Sequence, residues 1–271
     1  MKIRHYLHYH HKVLYETTLV RHLISIVVTI SMLTSIFALL LHFSHTHNSF
    51  DINSISLADV MQGSVNTLYR MSLAFILSLL VALPIALFIN SSTLIKRIFL
   101  PIADILQSIP VLAFFPVLVT FFIANNALEL AAIFVIFLSM IWNIVFPVIG
   151  GLQTIPNDVN DAAFIMNVFG VRKFWYITVP AIFPFVVTGS MLAWAQGWTI
   201  VIVAEVLHTY IPNGNMSQDL LGLGSLLVDS NAQGQRGVFF ATLTAMIILV
   251  TILNIVVWQP LLHLSQRYRF D

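Results

Sequence analysis

The sequence contains no cysteine and very little charge. Charged residues make up 8% of its 271 residues, whereas a soluble domain carries roughly 25%. The absence of cysteine excludes disulfide bonds, cysteine nucleophiles and thiolate metal sites. The scarcity of charge, together with a hydrophobic content of 59%, excludes a water-soluble globular protein.

Motifs that would indicate an enzyme or a nucleotide-binding protein are also missing. No glycine precedes a lysine, so the chain lacks the G-x-x-x-x-G-K-[ST] loop that cradles the phosphates of ATP. There is no H-E-x-x-H motif, and no carboxylate pair or Ser/His arrangement stands out. We therefore expect no enzymatic activity, no cofactor, no metal site and no nucleic-acid binding on this chain.

What the sequence does contain is a series of long stretches without Asp, Glu, Lys or Arg. They cover residues 22–50, 71–95, 105–128, 130–157, 174–204 and 237–266. Each can hold the ~20 apolar residues of a membrane-spanning helix. Because lipid cannot satisfy exposed backbone groups, helices are the expected structure. The predicted fold is all-α, a polytopic membrane protein with about six transmembrane helices.

Most basic residues precede the first of these stretches or follow the second, fourth and sixth, which would place them on one side of the membrane. Of the 12 lysines and arginines, only Arg70 and Arg236 depart from this distribution. Since basic residues favour the cytoplasmic side of a membrane, we predict that both termini lie inside.

We divide the chain into a cytoplasmic N-terminal tail at 1–19, a first span with an external segment at 20–59, a core domain at 60–260 and a cytoplasmic C-terminal tail at 261–271. The spans predicted within the core cover 66–90, 98–123, 130–150, 181–206 and 237–258. Prolines 101, 110 and 116 interrupt the second of these core spans, which we expect to be a partly broken helix.

The longest internal loop, residues 152–180, carries signals for two short helices. Asp158 and Asp161 lie near the N-terminus of the first helix, where negative charge is favourable, and Gly170 is a plausible end. A second short helix, "VRKFWYITV", leads to Pro180, which we expect to mark the start of the next span. One interpretation is a connector that rests on the membrane surface.

The same loop resembles the EAA loop of ABC importer permeases, whose pattern is E-A-A, three residues, G, nine residues and I-x-L-P. The residues that match this pattern in register are Asp161, Ala162, Ala163, Asn167, Ile177 and Pro180. Asp161 replaces Glu, Asn167 replaces Gly and Val179 replaces Leu. Asn tolerates the left-handed conformation better than most residues, so the turn is expected either at Asn167 or at Gly170.

The resemblance covers roughly residues 60–271. "LIKRIFLPIADILQSIPVLAFFPVLV" is similar to permeases of the nitrate, sulfonate and taurine class. "GSMLAWAQGWTIVIVAEV" and "NIVVWQPLLHLSQRYRF" are most similar to an anion-transport subgroup with duplicated permease modules. This resemblance implies a MetI-like permease fold in the bacterial inner membrane, and a small anion such as nitrate, a sulfonate, taurine or bicarbonate as the solute.

The resemblance also implies partners. Separate ABC ATPase subunits would bind the 152–180 loop, an extracytoplasmic solute-binding protein would deliver the solute, and a second permease subunit, identical or different, would complete the path. A second interpretation is a self-contained channel or ion-coupled transporter, which broken helices would suit. The chain shows no internal repeat and has few charges within its spans, which argues against that class.

Polar groups inside apolar spans are costly, which makes them candidates for the translocation path. The candidates are Arg70, Asn143, Trp194, Gln196, Trp198 and Glu205. Each also has a structural interpretation: an arginine that reaches the membrane interface, tryptophans and a glutamate at the membrane edge, and amides that join helices.

Two further patterns occur. Gly189, Ala193 and Gly197 recur every four residues and predict close helix packing. Two groups of histidines lack accompanying cysteines or a carboxylate frame, so we interpret them as solvated rather than metal-binding. They are His5, His8, His10 and His11, and His42, His45 and His47.

Overall fold

The computed structural model describes residues 56–268 except 126, 212–213 and 215–217. The chain divides into two compact units, Met1–Ile52 and Asn53–Asp271, and the described residues belong to the second. All regular structure within the described range is helical. The first predicted span, the N-terminal tail and both histidine groups lie outside the described residues.

Helix α1, Leu57–Ile89, is 33 residues long. Ser56 caps its N-terminus, because the Ser56 hydroxyl accepts a hydrogen bond of 3.3 Å from the backbone N–H of Asp59. At 1.5 Å per residue the helix is about 50 Å long. The helix also includes residues 57–65, which precede the span predicted at 66–90. It continues through Pro84.

The second predicted core span is broken, as expected. Helix α2, Thr93–Ser108, and helix α3, Val111–Ala124, meet at an angle of 78°. Ile109 adopts an extended conformation between them, with ψ 121°. Pro110 explains this, since a proline disfavours the helical conformation of the residue before it. The other two prolines, at 101 and 116, lie inside α2 and α3 and do not interrupt these helices.

Helices α4, Leu128–Gln153, and α7, Val179–Ala204, form the centre of the bundle. Their backbones touch at Gly189, where an added Cβ would lie 2.8 Å from the carbonyl oxygen of Asn143. Ala193 and Gly197 are buried on the same face of α7. The predicted close packing at these small residues is therefore confirmed.

The 152–180 loop contains α5, Asn157–Ile165, and α6, Gly170–Lys173. A π-helical turn at Phe174–Thr178 joins α6 to α7, so that one continuous helix runs over Gly170–Ala204. The predicted boundary at Pro180 is wrong. Pro180 stands in the first turn of α7, after a wide turn in which the N–H of Val179 donates to the carbonyl of Phe174. We infer that this wider turn accommodates a proline that would kink a regular helix.

The C-terminal part of the unit repeats this arrangement. Helix α8, Leu223–Ala232, precedes α9, Arg236–Leu253, and a π-helical turn at Asn254–Trp258 leads into α10, Gln259–Ser265. Pro260 follows the π-turn at the same spacing as Pro180. The helix therefore continues beyond the predicted end of the last span at 258, and a 3₁₀ turn extends it to Tyr268.

Within the described residues, four helices are long and apolar enough to cross a membrane, and the bent pair α2–α3 makes up to five. The four are Leu57–Ile89, Leu128–Gln153, Gly170–Ala204 and Arg236–Tyr268. This confirms the all-α, multi-pass class. The predicted orientation, with both termini inside, stays a prediction.

Candidate functional site

The 152–180 loop has a defined turn at Asn167. Helix α5 ends at Ile165 with Met166 as its C-cap, and Asn167 takes the left-handed conformation with φ 59°. The N–H of Asn167 donates to the carbonyl of Phe164 at 3.1 Å, and the N–H of Val168 donates to the carbonyl of Ala163 at 2.8 Å. This pair of bonds is a Schellman motif, which usually has glycine at the left-handed position. Asn167 therefore forms the turn for which the EAA pattern uses glycine.

Gly170 does not end α5, so that part of the expectation is wrong. Asn167 already satisfies the terminal carbonyls of α5 three residues earlier. Gly170 has φ 56° and instead opens helix α6. Two residues with left-handed φ, Asn167 and Gly170, therefore lie at the junction of the two short helices.

The first half of the EAA-like pattern is exposed. Asp161 and Ala162 are exposed, and Ala163 is the one buried residue of α5, all of which the structure describes. Five large apolar side chains beside them are also exposed, and we call them the loop patch. Its members and their exposed fractions are Phe164 71%, Ile165 83%, Met166 74%, Phe169 49% and Val171 75%.

The second half of the pattern connects the loop to the bundle. Ile177 lies in the π-turn and Pro180 in the first turn of α7, and both are half-buried. Phe164 and Phe169 pack edge to face, with ring centres 5.6 Å apart. Of the loop patch, Val171 lies on the continuous helix that leads into α7, and the other four members precede that helix.

A second site surrounds Glu205, the residue that follows α7. Its side chain is fully buried. The Oε1 atom accepts hydrogen bonds from the hydroxyl of Thr67 at 2.7 Å and from the Arg70 guanidinium at 2.8 Å. The Oε2 atom accepts a hydrogen bond of 2.7 Å from the N–H of Gly224, in the first turn of α8. A carboxylate at a helix N-terminus is favourable because the free N–H groups point towards it.

Arg70 joins this carboxylate to two further elements. Its guanidinium makes a bidentate ion pair with Glu129 at the start of α4, at 2.7 and 2.8 Å. It also donates to the carbonyl of Leu221 at 3.1 Å. Only 2% of the Arg70 side chain is exposed, against 53% of the Glu129 side chain. Buried charges are normally paired and hydrogen-bonded, and this group of residues meets that condition.

Two glycines make room for Glu205. A Cβ at Gly222 would overlap the Glu205 carboxylate, and a Cβ at Gly224 would lie 2.6 Å from the Cα of Ile202. The segment between the glycines is held as well, because the N–H of Leu223 donates to the Thr67 hydroxyl at 2.9 Å. We call Thr67, Arg70, Glu129, Glu205 and Gly224 the Glu205 network.

The network shows what the two candidate charges contact. Arg70 points inward to two glutamates rather than outward from its helix. Glu205 is fully buried, and the depth of both residues in the membrane stays a prediction. Sequence reasoning missed Glu129, Thr67 and Gly224. The available signals were the spacing of three between Thr67 and Arg70, which places both on one helix face, and the two glycines of "GLG".

The other path candidates have different surroundings. Trp194 is buried, with its ring centre 5.8 Å from that of Phe75 and 6.1 Å from that of Trp258. Trp198 is half-buried against the core. Asn143 donates to the carbonyl of Ser139 in its own helix at 3.0 Å.

Gln196 differs from these because it is exposed. It belongs to a stripe on α7 in which exposed residues recur at helical spacing. The stripe contains Thr188, Leu192, Ala195, Gln196 and Thr199. The hydroxyls of Thr188 and Thr199 donate to carbonyls of their own helix, so Gln196 is the side chain of the stripe that is costly to present to lipid.

Residues 74–269 match the family described as "Binding-protein-dependent transport system inner membrane component". This match covers more than half of the chain, so the protein belongs to that family of multi-pass inner-membrane proteins. The family resemblance inferred from the sequence is thereby confirmed. Members of this family are transport components and are not themselves enzymes.

The curated relatives include permeases named for small anions. The nitrate import permease protein NrtB of Leptolyngbya laminosa is 28% identical over 59% of this chain and 56% of its own length. The bicarbonate transport system permease protein CmpB of Synechococcus elongatus is 24% identical, over 63% and 57%. The taurine transport system permease protein TauC of Escherichia coli is 23% identical, over 55% and 54%. The matched part of this chain thus spans about half the length of these relatives.

Proposed function

We propose that this chain is the transmembrane permease subunit of an ATP-driven importer for a small anion. The observation that carries the proposal is the exposed EAA-like segment, whose Schellman turn at Asn167 takes the place of the usual glycine. The family membership supports transport with a binding protein. The names of the relatives, which refer to nitrate, bicarbonate and taurine, support an anion as the solute.

The loop patch is the proposed contact with a separate ABC ATPase. Contiguous exposed apolar side chains typically mark interaction sites. Here they stand beside the exposed Asp161 and Ala162, at the positions that the family pattern assigns to this contact. The chain has no phosphate-binding loop of its own, so ATP hydrolysis is assigned to the partner. A push on the loop would be transmitted along the continuous helix Gly170–Ala204.

We place the solute path between this chain and a second permease subunit, identical or different. The described bundle is packed at its centre, where α4 and α7 touch at Gly189. The exposed stripe around Gln196 is therefore the surface proposed to line the path. Arg70, Glu205 and Trp194 would shape the path from behind, because they are buried.

The test of the ATPase contact is co-purification. The chain would be co-expressed with the ABC ATPases of the same genome, and the amount of ATPase retained per permease would be measured. Ile165→Asp and Asp161→Lys are each expected to reduce retention at least tenfold. The first would bury an unpaired charge in the contact. The second would reverse the sign of the charge at the acidic position of the EAA-like pattern. Leu57→Asp is the matched control, since Leu57 is 70% exposed at the opposite end of the chain's described spans.

Unchanged retention in both loop variants would overturn the assignment of the loop. The alternative, a self-contained channel or ion-coupled transporter, makes a different prediction. Vesicles that contain only this chain would then take up nitrate, bicarbonate or taurine without ATP. Under the importer proposal such vesicles show no uptake until the ATPase, a binding protein and ATP are supplied.

A further inference from the structure

Three potential metal ligands meet where the segment after α7 contacts α8. His208 lies in a 3₁₀ turn, His208–Tyr210, Asp219 precedes α8, and Asp229 lies on α8 itself. Their ligand atoms all lie within 4.8 Å of one another. They lie 11 and 10 residues apart along the chain, and the fold of this one segment brings them together.

Two of the three side chains already hold each other. The Nδ1 atom of His208 lies 2.6 Å from Oδ2 of Asp219, and the backbone N–H of His208 donates to Oδ1 of Asp219 at 2.8 Å. Only 3% of the Asp219 side chain and 19% of the His208 side chain are exposed. These contacts fix a carboxylate and an imidazole next to each other before any ligand binds.

Asp229 has one oxygen without a hydrogen-bond partner among the described residues. This atom, Oδ1, is buried. Buried carboxylate oxygens are normally hydrogen-bonded or paired with a cation. The carboxylate of Asp219 lies beside it, and a cation bound between the two carboxylates would pair with this oxygen.

We propose that His208, Asp219 and Asp229 form a binding site for a divalent transition-metal cation, with Zn²⁺ or Mn²⁺ as the class that fits the ligands. One imidazole nitrogen and two carboxylates are a typical nitrogen and oxygen donor set for these ions. Ligand atoms around a tetrahedral zinc lie about 3.3 Å apart, as bonds of 2.0–2.2 Å require. The His208–Asp219 pair, whose nearest atoms lie 2.6 Å apart, would therefore open slightly to admit the cation. This site departs from the sequence-based expectation that the chain has no metal site.

The cation would fix α8 to the end of α7. Glu205 holds the first turn of α8 through Gly224, at 2.7 Å. Asp229 lies five residues further along α8, and His208 lies three residues beyond Glu205. The cation would therefore add a second attachment between the same two segments, next to the Glu205 network.

The test measures binding of Zn²⁺ and Mn²⁺ to the full chain, purified without a polyhistidine tag. The eight histidines outside the described residues would compete for metal, so a background variant replaces all of them with Asn: His5, His8, His10, His11, His22, His42, His45 and His47. After EDTA treatment, binding of Zn²⁺ and of Mn²⁺ is measured by isothermal titration calorimetry, with Ca²⁺ for comparison. We expect one equivalent of Zn²⁺ or Mn²⁺ to bind to this background.

Asp229→Asn is the decisive variant, because it keeps the shape of the side chain and removes its charge. It should weaken binding at least tenfold and should remove the increase in melting temperature that the metal produces. His208→Gln should do the same. Asp104→Asn, at an exposed aspartate on α2, is the matched control and should bind like the background.

Two results would overturn the proposal. One is the absence of saturable metal binding to the background. The other is equal affinity in the background and in the Asp229→Asn variant, which would mean that a proton, rather than a metal ion, satisfies Asp229.

Discussion

The 152–180 loop and the Glu205 network represent two opposite uses of polar and apolar groups. In the loop, large apolar side chains are exposed, with Ile165 at 83%, while the carboxylate of Asp161 is also exposed. In the network, charged groups are buried, with Arg70 at 2% and Glu205 at 0%, and each is hydrogen-bonded within the chain. The network is complete in itself, whereas the loop presents a surface that nothing in the described chain covers.

The difference indicates what each region contributes. A buried ion pair adds little stability compared with apolar packing, but removal of one partner is strongly destabilising. The network therefore fixes α1, α4, α7 and α8 in one arrangement. The loop contributes little to that arrangement, because of α5 only Ala163 is buried. Substitutions in the network should reduce folding stability, and substitutions in the loop should change partner binding.

The largest effect is expected for Arg70→Met. This change leaves Glu205 buried without a cation, and it should reduce the free energy of unfolding by about 3–5 kcal/mol. Chemical unfolding of the purified chain in detergent would measure it. Adding Glu205→Gln to this variant should restore part of the loss, because the unpaired charge is removed. A loss below about 1 kcal/mol in Arg70→Met would contradict the importance of the network.

A smaller loss is expected for Gly224→Ala. The new Cβ would lie 2.6 Å from the Cα of Ile202 and 2.8 Å from Oε2 of Glu205. Overpacking of this kind costs about 1–3 kcal/mol. Gly150→Ala is the matched control, since no atom lies within 4 Å of a Cβ at that position in α4. The control should be neutral or stabilising by up to about 1 kcal/mol, because alanine favours a helix over glycine.

A local effect is expected for Asn167→Val. A β-branched residue at φ 59° is strained by about 1–2 kcal/mol. We expect faster amide hydrogen exchange in residues 163–170 without a matching change in global unfolding, because the loop opens separately from the core. Asn167→Gly should exchange like the unmodified chain. Equal exchange in the valine and glycine variants would show that the Schellman turn does not hold the loop.

The smallest effect on folding is expected for Ile165→Asp. Its side chain is 83% exposed, and exposed substitutions usually change stability by less than ~0.5 kcal/mol. The melting temperature of the Ile165→Asp chain alone should therefore equal that of the unmodified chain. A clear decrease would mean that Ile165 supports the fold, and would weaken the contrast between the two regions.

Much of the loop could be predicted from the sequence because its determinants are local. The spacing from Asp161 to Pro180 identified the segment, and the tolerance of asparagine for positive φ indicated the turn at Asn167. The prediction at Pro180 failed for a local reason too: a π-helical turn allowed the helix to pass the proline. Such a turn leaves no composition signal in the sequence.

The sequence by itself determined the membrane class, the helical structure, the small-residue face of α7 and the position of the EAA-like segment. These follow from composition and from periodicities of a few residues, which are properties of a single helix. Only the tertiary structure decided that Arg70 pairs with Glu205 and Glu129, and that His208, Asp219 and Asp229 meet. Arg70 and Glu205 are 135 residues apart, and their meeting depends on how whole helices pack, which no local pattern encodes.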